Sequence, residues 1–149
     1  MRVLIVEDGY EYVEVMERFV PDGFAWVRAG DGAEAVRLAT AEPFDAILLD
    51  MRFDRVPPDR LLGDLDEAAA RFDDDRAQGA RFLAEHQGTY VLEALRRAGV
   101  RAPAVLSFDF GDAPARFSRL AARNGPLAWV ADGASPLTIA AALRALARG

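Results

Sequence analysis

Residues 44–50, Phe44-Asp45-Ala46-Ile47-Leu48-Leu49-Asp50, form an apolar run of strand length that ends on a carboxylate. The run predicts a strand over 44–49 that is covered on both faces, as strands in parallel sheets are. Nearer the N-terminus, Val3–Val6 predicts a second buried strand, which is followed by Glu7 and Asp8. We therefore expect a sheet whose buried strands carry acidic side chains at their carboxyl ends.

Strands and helices alternate along most of the remaining chain. The apolar patterns and capping signals predict further strands at 24–28, 104–108 and 127–130, and helices at 10–20, 32–41, 88–97, 112–124 and from Ser135-Pro136 onward. Five strands alternating with five helices predict an α/β fold with a doubly wound parallel sheet. In such a sheet the functional crevice lies at the carboxyl ends of the strands, where the strand order switches.

Residues 54–87 interrupt this alternation and contain no predicted strand. Pro57-Pro58-Asp59 ends the regular structure, an amphipathic helix is predicted over 61–72, and residues 76–87 have weaker helical character. The acidic run 73–75 either ends the predicted helix or continues it with a solvated end. We predict one domain over 1–149, in which the insertion 54–87 forms a lid, docks a partner or packs beside the sheet. No separate output domain is expected.

The composition excludes several kinds of chemistry. The chain has no Cys and no Lys, so all 18 basic residues are Arg, and disulfides, thiolate catalysis, Schiff bases and a Walker lysine are excluded. A net charge of −6 without a basic stripe disfavours direct binding of nucleic acid. No apolar run approaches the roughly 20 residues that span a bilayer, and no signal peptide is evident. We expect a cytoplasmic protein with no membrane association.

Polar side chains stand at four of the predicted strand ends. Glu7 and Asp8 follow the first strand, Asp50 the third, Ser107 the fourth and Asp132 the fifth. Carboxylates that lie close together repel and raise each other's pKa, and a divalent cation relieves this repulsion. Oxygen ligands suit Mg²⁺. The alternative that Asp8 or Asp50 merely caps a following helix or turn stays open.

Taken together, these motifs resemble the receiver domain of two-component response regulators. Val3-Leu4-Ile5-Val6-Glu7-Asp8 is similar to the family's first strand and acidic pair, and Ala46-Ile47-Leu48-Leu49-Asp50-Met51 to the strand that delivers the phosphoacceptor aspartate. Val105-Leu106-Ser107 resembles the strand that ends in Thr or Ser, and Trp129 stands at the place of the aromatic switch residue. The resemblance implies a flavodoxin-like receiver fold with strand order 2-1-3-4-5 and a helical insertion between the third strand and the third helix.

The resemblance also implies a role for each motif residue. It implies Asp50 as phosphoacceptor, Ser107 as the hydroxyl that contacts a phosphoryl oxygen, Trp129 as switch, and Mg²⁺ held by Glu7, Asp8, Asp50 and the backbone carbonyl of Arg52. The chain is then a stand-alone signalling domain and not an enzyme. Its implied partners are a sensor histidine kinase or another signalling protein, and a second copy bound through the fourth helix, fifth strand and fifth helix of the alternation.

Three features depart from the family's pattern, namely Asp132-Gly133 in place of Lys-Pro, Phe108 in place of a small residue, and the long insertion before Gly88. An aspartate near the site repels phosphate by a few kcal/mol at contact distance. Arg52 or Arg101 is a candidate to compensate for that repulsion. The main alternative is therefore a pseudo-receiver, an interaction module that signals without phosphorylation.

Two other classes share the strand-end chemistry or the fold. A haloacid-dehalogenase-like phosphatase requires a D-x-D motif and a lysine, whereas the first strand here ends Glu7-Asp8-Gly9 and no lysine exists. A flavodoxin-like cofactor binder requires a phosphate loop rich in Gly, Ser and Thr, and no such loop follows Val6. Both classes are disfavoured.

Overall fold

The computed structural model describes residues 1–149 and contains five strands and seven α-helices. The strands are β1 (Arg2–Val6), β2 (Ala25–Ala29), β3 (Ala46–Asp50), β4 (Ala104–Ser107) and β5 (Leu127–Val130). The helices are α1 (Glu11–Phe19), α2 (Gly32–Ala41), α3 (Leu65–Ala70), α4 (Arg76–Glu85), α5 (Gln87–Arg97), α6 (Pro114–Asn124) and α7 (Pro136–Ala147). One turn of 3₁₀ helix covers Pro58–Arg60. None of the helices combines the length and apolarity needed to cross a membrane.

The five strands form a single parallel sheet in the order β2-β1-β3-β4-β5, which confirms the predicted fold class and strand order. Because the chain winds outward from β1 in one direction and from β3 in the other, the switch in strand order lies between these two strands. Asp8 follows β1 and Asp50 ends β3. The two carboxylates therefore stand at the crevice where such sheets bind ligands.

A separate apolar core covers each face of the sheet. Leu4 and Val6 belong to the core beneath α2, α5 and α6, whereas Val3 and Ile5 belong to the core beneath α1 and α7. All residues of 3–6 and 46–49 are 0% exposed, so the predicted coverage on both faces is confirmed. This packing holds the carboxyl ends of β1 and β3 in a fixed relation.

The insertion contains less helix at its beginning than the sequence predicts. The helix predicted over 61–72 is wrong in extent, because α3 covers only Leu65–Ala70. Gly63 has φ +105°, and the Asp64 carboxylate caps the helix by accepting the Glu67 N–H at 3.1 Å, so the helix begins late. It ends before Asp73 and Asp74, whose φ angles of 53° and 64° are left-handed and incompatible with a continuing helix.

The two ends of the insertion are joined to the sheet at one place. The Phe53 N–H donates to the Ala84 carbonyl at 2.9 Å, and the Gly88 N–H donates to the Met51 carbonyl at 3.1 Å. A Cβ on Gly88 would lie 2.6 Å from the Met51 Cα, so the close approach requires glycine. The chain therefore leaves and re-enters the receiver-like framework almost at the same point, which keeps a long insertion compatible with the sheet.

The body of the insertion packs beside the sheet. The side chains of Leu62 and of Val91 on α5 both pack close to Gly32 of α2, and the Gln87 amide forms hydrogen bonds with the N–H and the carbonyl of Leu62. An ion pair joins Arg60 to Asp31 at the start of α2. The helices of the insertion therefore lie beside the sheet and do not form a lid over the strand ends.

Candidate functional site

A cleft of about 460 Å³ opens at the carboxyl ends of the strands. Its acidic lining residues are Glu7, Asp8, Glu11, Asp50, Asp54 and Asp132. The lining also includes Tyr12, Arg52, Arg55, Ser107 and Phe108. The fold thus brings Glu7, Asp8, Asp50 and Ser107 together as predicted, and the insertion contributes only Asp54 and Arg55 to the lining.

Asp50 is the most strongly perturbed carboxyl in the cleft. It ends β3 and pairs in register with Ser107 of β4. Burial, together with the negative charges of Asp8 and Glu7, raises the pKa of Asp50 to about 7. Its Oδ1 accepts the Arg52 N–H at 3.3 Å, and no cationic side chain forms an ion pair with it. Without a cation, the surroundings of Asp50 therefore favour the protonated form of its carboxyl.

Glu7 holds the N-terminus of α1. Its Oε1 accepts the N–H of Tyr12 at 3.0 Å, and its Oε2 accepts the N–H of Val13 at 2.8 Å. The side chain is 1% exposed, and burial raises its pKa. Both carboxylate oxygens therefore serve as helix caps. The capping role that the sequence left open for Asp8 belongs to Glu7.

The cleft contains carboxylates that suit Mg²⁺. No group of three or more His, Cys, Asp or Glu side chains is arranged to hold a metal ion, and each carboxylate oxygen of Glu7 accepts an N–H of α1. Asp8 accepts the Arg55 N–H through Oδ2 at 2.8 Å, and this leaves Oδ1 and the Asp50 carboxyl for a cation. Mg²⁺ is often bound by one or two carboxylates and several waters. Asp8 and Asp50 satisfy that requirement.

Ser107 has a partner that sequence reasoning did not identify. Its side chain is buried, and its hydroxyl forms a hydrogen bond with the hydroxyl of Tyr12. Burial, with the nearby negative charges of Asp50 and Asp132, raises the pKa of Tyr12. Tyr12 is adjacent in α1 to the buried Val13 and lies one turn before the buried Met16, and its hydroxyl is the feature of the sequence that distinguishes it from these two apolar residues.

Phe108 lines the cleft and supports two arginines. The guanidinium carbons of Arg52 and Arg116 lie 5.7 Å and 5.2 Å from the Phe108 ring centroid. Burial and the proximity of Arg52 lower the pKa of Arg116. The Phe108 ring thus forms a cation–π platform beside the cleft.

Trp129 is joined to Phe108 through another aromatic ring. The half-buried Trp129 lies 6.1 Å from Phe110, edge to face, and Phe110 lies 4.8 Å from Phe108 in the same kind of arrangement. Phe110 is 1% exposed, so this middle ring has little freedom to move. A continuous path of ring contacts therefore connects the cleft to the predicted switch position.

Asp132, which stands at the position of the family's lysine, forms no ion pair. Asp132 lines the cleft on the turn after β5 and takes part in none of the four ion pairs of the structure. Arg101 lies before β4, at the amino-terminal end of the strands and away from the cleft, where its side chain donates to the Arg96 carbonyl. The expectation that Arg101 might compensate is wrong for this reason. Arg52 remains the candidate to compensate for the repulsion from Asp132, since Arg55, the other arginine of the cleft, is paired with Glu11.

Comparisons with known proteins agree with this architecture. No family model matches the sequence. A response regulator receiver protein of Anaeromyxobacter sp. (strain Fw109-5) is 35% identical over 102 residues, which make up 68% of this chain and 40% of that protein. The matched stretch therefore spans less than half the length of that relative.

Two solved structures illustrate the likeness in fold. The receiver domain of a Francisella response regulator has a TM-score of 0.66 at 15% identity, with 99% of this chain and 96% of that chain covered. The receiver domain of the Pseudomonas aeruginosa PAO1 sensor histidine kinase PA1611, which has a magnesium ion in its active site cleft, has a TM-score of 0.59 at 18% identity. That match covers 99% of this chain and 98% of the other.

The fold and the cleft define a flavodoxin-like α/β domain that gathers carboxylates where the strand order switches. With the sequence relative and the structural neighbours, they identify the chain as a receiver domain. It is an atypical one, because it carries the insertion 54–87 and contains no lysine.

Proposed function

We propose that this chain acts in two-component signal transduction and that Asp50 accepts a phosphoryl group. The observation that supports the proposal is the environment of Asp50, which ends β3 beside Asp8 and opposite Ser107 in an open acidic cleft. A cytoplasmic location and a sensor histidine kinase as phosphodonor belong to the same proposal. The single-domain, stand-alone organisation stays a prediction from the sequence.

The proposed reaction is an in-line displacement at phosphorus. A carboxylate oxygen of Asp50 attacks phosphorus, the bond from phosphorus to the donor's leaving group breaks, and the leaving group departs with the electron pair. The Ser107 hydroxyl donates to a phosphoryl oxygen. Asp8, Asp50 and the backbone carbonyl of Arg52 would hold Mg²⁺, which when bound neutralises charge on the phosphoryl group.

Arg52 supplies the positive charge that a lysine provides in the family. It lines the cleft, forms no ion pair, and rests over the Phe108 ring. Its guanidinium is free to pair with an anionic group on Asp50, and this pairing offsets repulsion from Asp132.

The proposal also includes a homodimer formed through α6, β5 and α7. Trp129 would act as the switch residue at the edge of that interface.

Acetyl phosphate with Mg²⁺ provides the direct test. We expect intact-mass spectrometry to detect one added phosphoryl group on the wild type and none on Asp50→Asn. Asp54→Asn is the matched control, since Asp54 is an exposed aspartate of the same cleft, and it should be phosphorylated like the wild type. Absence of any modification at saturating donor, in a folded protein with Mg²⁺, would contradict the proposal.

A pseudo-receiver is the second candidate, because Asp132 adds an unpaired carboxylate to the cleft and Glu7 is engaged in capping α1. This candidate predicts that Asp50→Ala, if folded, leaves partner binding and cellular output unchanged. Loss of output in a stable Asp50→Ala variant would favour phosphoryl acceptance instead.

A further inference from the structure

We propose that Tyr12 is a positioning residue of the phosphoryl site and that it orients the Ser107 hydroxyl toward Asp50. The inference rests on the proposed function, which assigns the Ser107 hydroxyl a phosphoryl oxygen to contact. The hydroxyls of Tyr12 and Ser107 are hydrogen-bonded, and both side chains line the cleft together with Asp50. Tyr12 therefore acts on the reaction through Ser107.

The position of Tyr12 is determined by the end of β1. Its backbone N–H donates to Glu7 Oε1 at 3.0 Å, and the following N–H, of Val13, donates to Glu7 Oε2 at 2.8 Å. Glu7 is 1% exposed, and Met16 on the next turn of α1 is 0% exposed. The first turn of α1 is thus held against the sheet, and the Tyr12 ring is half-buried where it reaches Ser107.

The direction of the hydrogen bond follows from the acidity of the two hydroxyls. A phenol, with an ordinary pKa of about 10, is a far stronger acid than an aliphatic alcohol and hence the better donor. Tyr12 accordingly donates to the Ser107 oxygen. The single Ser107 hydrogen then remains available, and the neighbouring residue in register on β3 is Asp50. Ser107 accepts from Tyr12 and donates to a group on Asp50 at the same time.

Loss of the Tyr12 hydroxyl leaves Ser107 free to rotate. A buried serine without a partner turns its hydrogen to whatever acceptor is nearest, and backbone carbonyls are the usual choice. The Ser107 hydroxyl can then contact a phosphoryl oxygen only after its hydrogen bond to that other acceptor is broken. We therefore expect the substitution to weaken the bound state of the site and not the fold.

Binding of beryllofluoride, a phosphoryl analogue, measures this effect in the presence of Mg²⁺. We expect Tyr12→Phe to weaken beryllofluoride binding by about 3- to 10-fold, the size expected for one hydrogen bond. In a Ser107→Ala background, Tyr12→Phe should cause no further loss, because the group it orients is absent. Tyr10→Phe is the matched control, since Tyr10 is exposed and stacks on Arg28 outside the cleft, and it should bind like the wild type.

Several outcomes would overturn the inference. If Tyr12→Phe binds beryllofluoride as tightly as the wild type or more tightly, the Tyr12 hydroxyl does not assist binding. If Tyr12→Phe weakens binding equally in the wild-type and Ser107→Ala backgrounds, its effect does not depend on Ser107. Circular dichroism and urea unfolding of each variant verify that the compared proteins are folded. If the wild type itself binds no beryllofluoride, the proposed function fails and the inference with it. Wild-type binding without a Tyr12 effect removes the inference alone.

Discussion

At the scale of single residues, Asp50 combines two properties that oppose each other. Its place at the switch in strand order makes it accessible to ligands, while partial burial beside Asp8 and Glu7 penalises its charge. A pKa of about 7 means that, without a cation, protons compete for this carboxyl in the physiological range. A bound cation or an approaching arginine shifts Asp50 toward the ionised form that a nucleophile requires.

The raised pKa of Asp50 predicts that the metal-free domain loses stability as pH rises. An unfolded aspartate has a pKa near 3.9, so between about pH 4 and the folded pKa of about 7 the unfolded chain has lost the proton that the folded domain keeps. The free energy of unfolding should therefore fall through this window and level off above it. Urea titrations in EDTA measure the difference in free energy of unfolding between Asp50→Asn and the wild type. At pH 8 this difference should favour Asp50→Asn by about 2–4 kcal/mol more than it does at pH 4.

Asp54→Asn is the control for that comparison, because it removes an exposed carboxylate of the same cleft. Its difference from the wild type should depend little on pH. A wild-type domain that gains stability between pH 4 and pH 8, relative to Asp50→Asn, would show that Asp50 is ionised at low pH and that burial does not control its titration.

The neighbouring residues Glu7 and Asp8 should respond differently to neutralisation. Glu7→Gln retains one acceptor oxygen of the two that cap α1, so we expect a loss of about 1 kcal/mol in unfolding free energy. Asp8→Asn should leave stability nearly unchanged but abolish the rise in melting temperature caused by Mg²⁺. Thermal unfolding with and without Mg²⁺ measures both effects. A reversed pattern, with Glu7→Gln abolishing the Mg²⁺ effect, would assign the metal to Glu7.

At the scale of secondary-structure elements, the insertion depends on the close packing of α3 and α4. A Cβ on Gly79 would lie 2.7 Å from the Ala69 nitrogen and 2.8 Å from its Cα. Backbone atoms cannot rotate away, so the two helices must separate to accept any side chain. The same feature explains why the weakly amphipathic residues of α4 form a helix, because contact with α3 supplies the stability that their own pattern lacks.

We expect Gly79→Ala to destabilise the domain by about 1–3 kcal/mol, although alanine has the higher helix propensity. Chemical denaturation of the whole chain measures this loss. Arg81→Ala, at an exposed position of the same helix, should change stability by no more than about 0.5 kcal/mol. Stabilisation by Gly79→Ala would mean that α3 and α4 do not pack at the observed distance.

At the scale of the whole molecule, a series of aromatic contacts extends from the cleft to Trp129 on β5. Phe108 touches the cleft, Trp129 lies toward α6, and the buried Phe110 contacts both rings. Because a closely packed ring cannot shift without displacing its neighbours, we expect a movement of Phe108 to shift Phe110 and, through it, Trp129. Phe108, which departs from the small residue of the family's pattern, is the first ring of this series.

This path predicts that beryllofluoride with Mg²⁺ changes the fluorescence of Trp129. A Trp26→Phe background removes the only other tryptophan. Phe108→Ala should reduce the fluorescence change to a small fraction of its wild-type size while a competition assay still detects beryllofluoride binding. An undiminished change in Phe108→Ala would show that Trp129 senses the cleft by another route.

The sequence alone determined the parallel sheet, the strand ends and the acidic residues that stand at those strand ends. Apolar runs such as 44–49 and helical spacing are local signals, and right-handed connections leave few ways to arrange them. Asp8, Asp50 and Ser107 meet because each directly follows or ends a buried strand. The capping of α2 by Asp31 and of α7 by Ser135 is likewise present in the structure, since a cap involves neighbouring residues.

Only the tertiary structure decided which of these side chains are free to act. The Tyr12 hydroxyl and its partner Ser107 are 95 residues apart, and no local pattern connects them. Glu7 also caps α1, because the N-terminus of that helix offers two N–H groups that its own turns do not pair. The insertion lies beside α2 and α5 because Leu62 packs against apolar residues there. Hydrogen bonding and burial between distant segments depend on the assembled fold, and they determined the partners of each residue in the cleft.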